Sequence, residues 1–191
     1  MRCHDCRLDH SCTNGRNCTP WDVEEHAARY DDQSRRLLDA AAEVEAEGYL
    51  ELTRLEEFAL FCRKLNVERV GLAFCIGSAE EAAVVGAFLE RRGFAVSSAC
   101  CKLGGVPKER FGHPPVAGSS GGSCCNPLGQ GAILERDGCS IIGSIGLCVG
   151  HDALLNHGAT IPVVTLIAKD RVTGHNPAAV IYNQYLRRRL E

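Results

Sequence analysis

Ser140-Ile141-Ile142-Gly143-Ser144-Ile145-Gly146-Leu147, followed at once by Cys148-Val149-Gly150-His151-Asp152, decides how this chain is read. An apolar run of strand length ends in a cysteine, a histidine and an aspartate. Two further runs end the same way. Val70-Gly71-Leu72-Ala73-Phe74 leads into Cys75-Ile76-Gly77, and Phe94-Ala95-Val96-Ser97-Ser98-Ala99 leads into Cys100-Cys101-Lys102. A fourth, Ile161–Ile167, runs out into Lys169-Asp170-Arg171. In an open α/β sheet the crevice outside the carboxyl ends of the strands is where ligands bind. Cysteines delivered there by separate strands point to one shared site.

Between the first two strands, Ser78-Ala79-Glu80-Glu81 starts a helix that Gly93 stops. Strand, helix and strand within about 30 residues specify a right-handed parallel crossover. The pattern predicts an α/β fold with a small parallel sheet of about four strands, in a Rossmann-like three-layer arrangement.

The lengths around this core divide the chain. Residues 1–20 carry Cys3, Cys6, Cys12 and Cys18 with Leu8 as their one large aliphatic residue, too little for a core. Four thiolates around one metal supply folding energy that such a segment lacks, so Cys3, Cys6, Cys12 and Cys18 are the expected metal ligands. Residues 21–67 read as a helical connector packing on the core: one helix from Trp21 to Gly48, and a second opened by the capping box Thr53-Arg54-Leu55-Glu56. Leu55, Phe58, Ala59, Cys62 and Leu65 follow at helical spacing, which makes Cys62 a core residue. Residues 68–191 form the α/β domain.

Inside that domain, residues 102–123 hold Gly104-Gly105, Pro107, Gly112, Pro114-Pro115 and Gly118, and carry no helix or strand period. A loop this long in a compact domain is functional or disordered. Its ends at Cys101 and Cys124-Cys125 favour a lid over the site. Cys125-Asn126-Pro127 then opens a helix, with Asn at the cap and Pro at the first helical position.

Composition narrows the function. The chain is 191 residues long with a formal charge of −3 and a pI near 6.2, which argues against a nucleic-acid surface. No apolar run reaches the ~20 residues that span a bilayer, and Met1-Arg2-Cys3-His4 shows no signal peptide. The expectation is a cytoplasmic protein. Thiols there stay reduced, so 12 cysteines read as metal or redox chemistry before disulfides.

Cys75, Cys101, Cys125 and Cys148 make a closed four-thiolate shell, and soft thiolates select iron–sulfur, zinc or Cu(I), with a 4Fe-4S cluster as the expected cofactor and zinc as the alternative. Adjacent strand residues face opposite ways, so one of Cys100 and Cys101 meets the centre, and the same holds for Cys124 and Cys125. Cys139, at the base of the third strand, reads as structural. Lys102, His151 and Asp152 are the candidates for acid, base or substrate-binding roles, with Lys169, Asp170, Arg171 and His175 behind them. A closed shell suits electron transfer, while three thiolates would leave an open iron for Lewis-acid chemistry. The alternative is a zinc protein whose sheet-edge thiols sense, store or deliver metal without catalysis. A thiol enzyme with one nucleophilic cysteine leaves the remaining convergent cysteines unexplained. The partner is a small molecule or a redox protein, and apolar helix faces leave room for a homodimer.

Several motifs, taken in order, resemble one family: Ala73-Phe74-Cys75-Ile76-Gly77, Cys100-Cys101-Lys102-Leu103-Gly104-Gly105, Cys125-Asn126-Pro127, Leu147–Asp152 and Lys169–Pro177. It is a bacterial and archaeal domain of unknown function, described as uncharacterised metal-binding proteins. The resemblance covers most of the chain, including the four-cysteine segment. It implies metal binding, assigns no reaction, and carries over Cys75, Cys101, Cys125 and Cys148 with Lys102, His151 and Asp152 as neighbours.

Overall fold

The computed structural model describes residues 1–7, 9–113 and 122–190. Leu8 and the middle of the expected lid, including Ser119 and Ser120, lie outside the described residues. The chain divides into two compact units, residues 1–47 and 48–191.

In the first unit, two short 3-10 turns, Cys3–Asp5 and Ser11–Asn14, precede α1 (Val23–Ala27) and α2 (Asp32–Gly48). The single helix expected from Trp21 to Gly48 is thus broken at residues 28–31. Each part has its own start signal. Asp22 and Glu25 form a reciprocal capping box, and the Asp31 carboxylate accepts the Ser34 N–H at 2.8 Å. A second cap satisfies donors that would otherwise be orphaned, so the chain restarts its helix there.

In the second unit, α3 (Arg54–Lys64) opens on the Thr53–Glu56 capping box read from the sequence. Then follow β1 (Arg69–Phe74), α4 (Ala79–Glu90), β2 (Ala95–Cys100), α5 (Pro127–Arg136), β3 (Ile141–Ile145), α6 (Val149–Gly158) and β4 (Val163–Ile167). The C-terminal segment forms two short helices, α7 (Ala179–Tyr182) and α8 (Gln184–Arg187), divided at Asn183. Asn183 leaves helical geometry and caps α8 through the N–H groups of Tyr185 and Leu186.

All strand pairings are parallel, in the order β2-β1-β3-β4. Side chains alternate between the two sheet faces. On one face Val70, Leu72, Ile141, Ile145 and Leu166 pack with Phe58 and Cys62 of α3 and with Ala82, Val85 and Leu89 of α4. On the other, Ala73, Ala99 and Ile142 pack with Leu134 of α5 and Leu155 of α6. The protein is a three-layer α/β fold with a four-stranded parallel sheet.

The strand order fixes where a site can form. From β1 the chain moves outward to β2, then crosses back over β1 to reach β3. The direction of winding reverses between β1 and β3, and that junction is a topological switch point. Cys75 leaves β1 and Cys148 follows β3, so the two cysteines flank it from either side. Gly146, with φ of +60°, makes the turn out of β3. A Cβ there would collide with the Ser78 hydroxyl, which is fully buried at the start of α4.

Candidate functional site

Three of the four strand-edge cysteines stand at helix starts. Cys148 is the N-cap of α6, Cys75 caps the 3-10 turn Ile76–Ser78 that feeds α4, and Cys125 precedes Asn126, the N-cap of α5. The Asn126 side chain accepts the Gly129 N–H at 2.9 Å and donates to Leu103 O at 3.3 Å, fastening the helix start to the loop after β2. Cys101 follows β2 and is held by its own N–H, which donates to Phe74 O at 2.8 Å. Cys75 and Cys101 are buried, whereas Cys125 and Cys148 are half-buried. The sulfur of Cys101 interacts with those of both Cys75 and Cys125.

Each of the four sulfurs has a nitrogen donor of its own. The Ile76 backbone N–H donates to Cys101 Sγ at 3.4 Å. Lys102 Nζ donates to Cys125 Sγ at 3.5 Å and to Ser123 O at 2.7 Å. Arg171 donates to Cys148 Sγ at 3.2 Å. Lys169 reaches Cys75, its ammonium lying 3.5 Å from the place a Cβ on Gly77 would take.

The electrostatic consequences differ from thiol to thiol. Burial would raise the pKa of Cys75, but the Gly77 N–H and the Lys169 ammonium outweigh it and hold the thiol below its ordinary value. Burial pushes Cys101 up to about 12, against the pull of the Ile76 N–H, and the charges of Cys125 and Cys75 add to the rise. The guanidinium of Arg171 is raised first by Cys148 and, at longer range, by Cys75 and Cys125. All four thiols therefore lie within reach of one electrostatic site. Among the described residues, however, no three His, Cys, Asp or Glu side chains are gathered tightly enough to hold a metal ion in the arrangement they adopt.

Lys102, His151 and Asp152 take different parts. Lys102 touches a site sulfur. His151 lies on the first turn of α6, its pKa lowered by burial and then by the charges of Lys102 and His113. Asp152 faces inward to the sheet. Its carboxylate accepts Ser144 Oγ of β3 at 2.7 Å and Thr165 Oγ1 of β4 at 3.2 Å, so it secures α6 to the two strands. Asp170 accepts the N–H groups of Val172 and Thr173, and its own N–H donates to Nδ1 of His175 at 3.1 Å. These contacts brace the loop that presents Lys169 and Arg171.

Gln130 of α5 carries no motif and was invisible to sequence reasoning. It is fully buried, and its amide nitrogen donates to Phe74 O at 3.1 Å and Ala99 O at 2.7 Å. One side chain thus ties the ends of β1 and β2 just before Cys75 and Cys101. Its carbonyl oxygen is buried and has no hydrogen-bond partner among the described residues. Cys139 packs at the opposite end of the sheet, near Gly71, with its thiol raised by burial.

Of the expected lid, residues 103–105 and 108–111 form 3-10 turns where no regular structure was expected. An antiparallel bridge joins Pro107 to Ser123, and Cys124 N–H donates to Val106 O at 2.8 Å.

In the unit of residues 1–47, Cys3, Cys6, Cys12 and Cys18 line one cavity of about 430 Å³, together with His10 and Ser11. The thiols of Cys12 and Cys18 lean on the carbonyls of His10 and Arg16 at 3.6 and 3.8 Å. Ser11 Oγ is buried and has no hydrogen-bond partner among the described residues.

Comparison with known proteins places these features in one family. Residues 15–166 match the family described as protein of unknown function, DUF1847. The chain belongs to that family. The match takes in Cys18 and all four strand-edge cysteines, and begins after Cys3, Cys6 and Cys12. The DUF1847 chain is also 34% identical over 194 residues to an uncharacterised protein of Methanocaldococcus jannaschii, across 100% of this chain and 98% of the relative. No solved structure matches it. Among the described residues, no helix is long and apolar enough to cross a membrane.

Proposed function

We propose that this protein is a cytoplasmic iron–sulfur protein with two thiolate centres that serves electron transfer. Cys75, Cys101, Cys125 and Cys148 would hold one cluster at the sheet edge, and Cys3, Cys6, Cys12 and Cys18 the other. The observation that carries the reading is the convergence of four thiols, three of them at helix starts, on one switch point with a nitrogen donor at each sulfur. Bound iron–sulfur clusters accept and release single electrons, at potentials set by net charge and by hydrogen bonds to sulfur.

The donor set fits such a group. Helix N-termini and neighbouring cations favour the thiolate, which is the ligand form. Buried thiolates with no metal would repel one another, and the raised value at Cys101 is that repulsion added to burial. Three of the sulfurs, those of Cys75, Cys101 and Cys125, already interact. In the first unit, a cavity lined by four cysteines in a segment with almost no apolar core supports the second site, where zinc satisfies the same donors. The electron donor or acceptor is a redox protein or a small molecule.

Anaerobic purification with absorption spectra and iron, zinc and sulfide analysis tests this reading on wild type, Cys148→Ala and Cys12→Ala. Brown protein losing part of its iron and sulfide in each variant supports two clusters. Colourless protein that holds zinc, unaffected by Cys148→Ala, would confine metal to the first unit and refute the sheet-edge centre.

A further inference from the structure

The nitrogen donors at the sheet edge differ in kind. Cys101, the deepest thiol, receives a neutral backbone N–H, Cys75 receives both the Gly77 N–H and the Lys169 ammonium, and Cys125 and Cys148 receive cationic side chains. Two of those cations, Lys169 and Arg171, sit two residues apart on the loop after β4, braced by the Asp170–His175 hydrogen bonds. One carboxylate, Asp170, lies between them in the sequence and keeps its charge, so the loop carries two cations against one anion. Asp152 is engaged with Ser144 and Thr165, and Asp170 with backbone N–H groups of its own loop.

We infer that Lys102, Lys169 and Arg171 are positioning residues that raise the reduction potential of the sheet-edge centre, with the loop 168–175 as the element that sets it. The inference rests on the iron–sulfur reading above. A cluster on four thiolates is an anion in its oxidised form and becomes more negative on reduction, so adjacent cations and N–H···S bonds stabilise the reduced form preferentially. The chemical change is one electron taken from an external one-electron donor, with no bond formed or broken in the protein. Burial ranks the contributions. Lys169 is half-buried beside a buried sulfur, whereas Arg171 is exposed and its field is screened by solvent and salt. Lys169 therefore acts more strongly than Arg171, and only the Arg171 contribution fades as salt is raised.

The test is a dithionite titration of the full chain, followed by electron paramagnetic resonance, with the sheet-edge signal identified as the one absent from Cys148→Ala. Lys169→Met is expected to shift its midpoint potential downward and Lys169→Arg to leave it near wild type, which separates charge from packing. Arg171→Gln is expected to give a smaller downward shift that disappears at high salt. Retained iron and sulfide with unmoved potentials in Lys169→Met and Arg171→Gln overturns this inference and leaves the cluster reading standing. Absence of any Cys148-dependent iron overturns both. If Lys169→Met fails to hold its metal, the exposed Arg171→Gln decides alone, by its shift or lack of one.

Discussion

The guanidinium of Arg171 lies 3.2 Å from the sulfur of Cys148, a contact that joins the loop after β4 to the N-cap of α6 across the top of the sheet. The two residues are brought together by the β3–β4 pairing and by the irregularity at Ser144 and Ile145, after which the register of β4 advances by one residue. Cys148 consequently has both a helix N-terminus and a cation beside it. Cys148→Ala with Arg171 intact is expected to keep the fold, since Cys148 is half-buried and its side chain caps nothing. Circular dichroism should overlay wild type while Cys148-dependent metal is lost.

Gln130→Leu should separate fold from site. It deletes the donor to Phe74 O and Ala99 O and leaves two carbonyls at the strand exits short of a partner, which costs about 1–3 kcal/mol. Because Phe74 O keeps the Cys101 N–H, the sheet stays paired. Urea denaturation should report the lowered stability. An unchanged midpoint would mean that the amide does not fasten the strands.

Asp152→Ala and Asp152→Asn should differ. Alanine takes the short acceptor from the fully buried Ser144 hydroxyl, leaving it Thr165 Oγ1 at 3.5 Å, with a loss of about 1–3 kcal/mol. Asparagine keeps an acceptor in place and should cost less than half as much. Equal losses in thermal melts would contradict a role through hydrogen bonding.

Stability should fall in alkali through Cys62. Its thiol is raised by burial from 9.0 to about 12. Between those values the unfolded chain releases the proton and the folded chain keeps it, so stability is intact below pH 9 and declines as pH rises toward 12. The slope is about 1.4 kcal/mol per pH unit for one such thiol. Cys62→Ala should flatten the pH dependence of the urea midpoint over that window, at the expense of a small packing loss.

Gly146→Ala should damage the switch point. Its positive φ disfavours a side chain, and the added methyl would meet the Ser78 hydroxyl. A loss of about 1–3 kcal/mol is expected from strain and overpacking. Ser78→Gly in the same chain should recover only the steric part, as measured by thermal unfolding.

The fold was legible where burial writes a local pattern. Four apolar runs gave four strands, and the Thr53–Glu56 box and the Asn126-Pro127 start gave α3 and α5 because caps are short-range chemistry. Cys62 was readable as core from helical spacing alone. The strand order was not legible, since a buried strand's sequence does not name its neighbours. Gln130 was missed for a related reason: a polar residue in a helix reads as solvent-facing until the sheet ends splay beneath it. The break between α1 and α2 had a signal in Asp31 and Ser34, hidden by an otherwise continuous helical composition. That the strands exit on one edge of the sheet followed from parallel topology. Which nitrogen meets which sulfur depended on loop conformation after β4, and no residue pattern encodes that.

The bridge between Pro107 and Ser123, with Cys124 N–H on Val106 O, closes the loop after β2 at its neck. Loop-closure entropy grows only with the logarithm of length once the neck is fixed. Cys101 and Cys125 lie on the inner side of that neck, where the Asn126 N–H donates to Cys101 O at 2.8 Å. A longer sequence grafted beyond the neck should therefore cost little, which makes this crossover a point at which the protein can acquire a new surface.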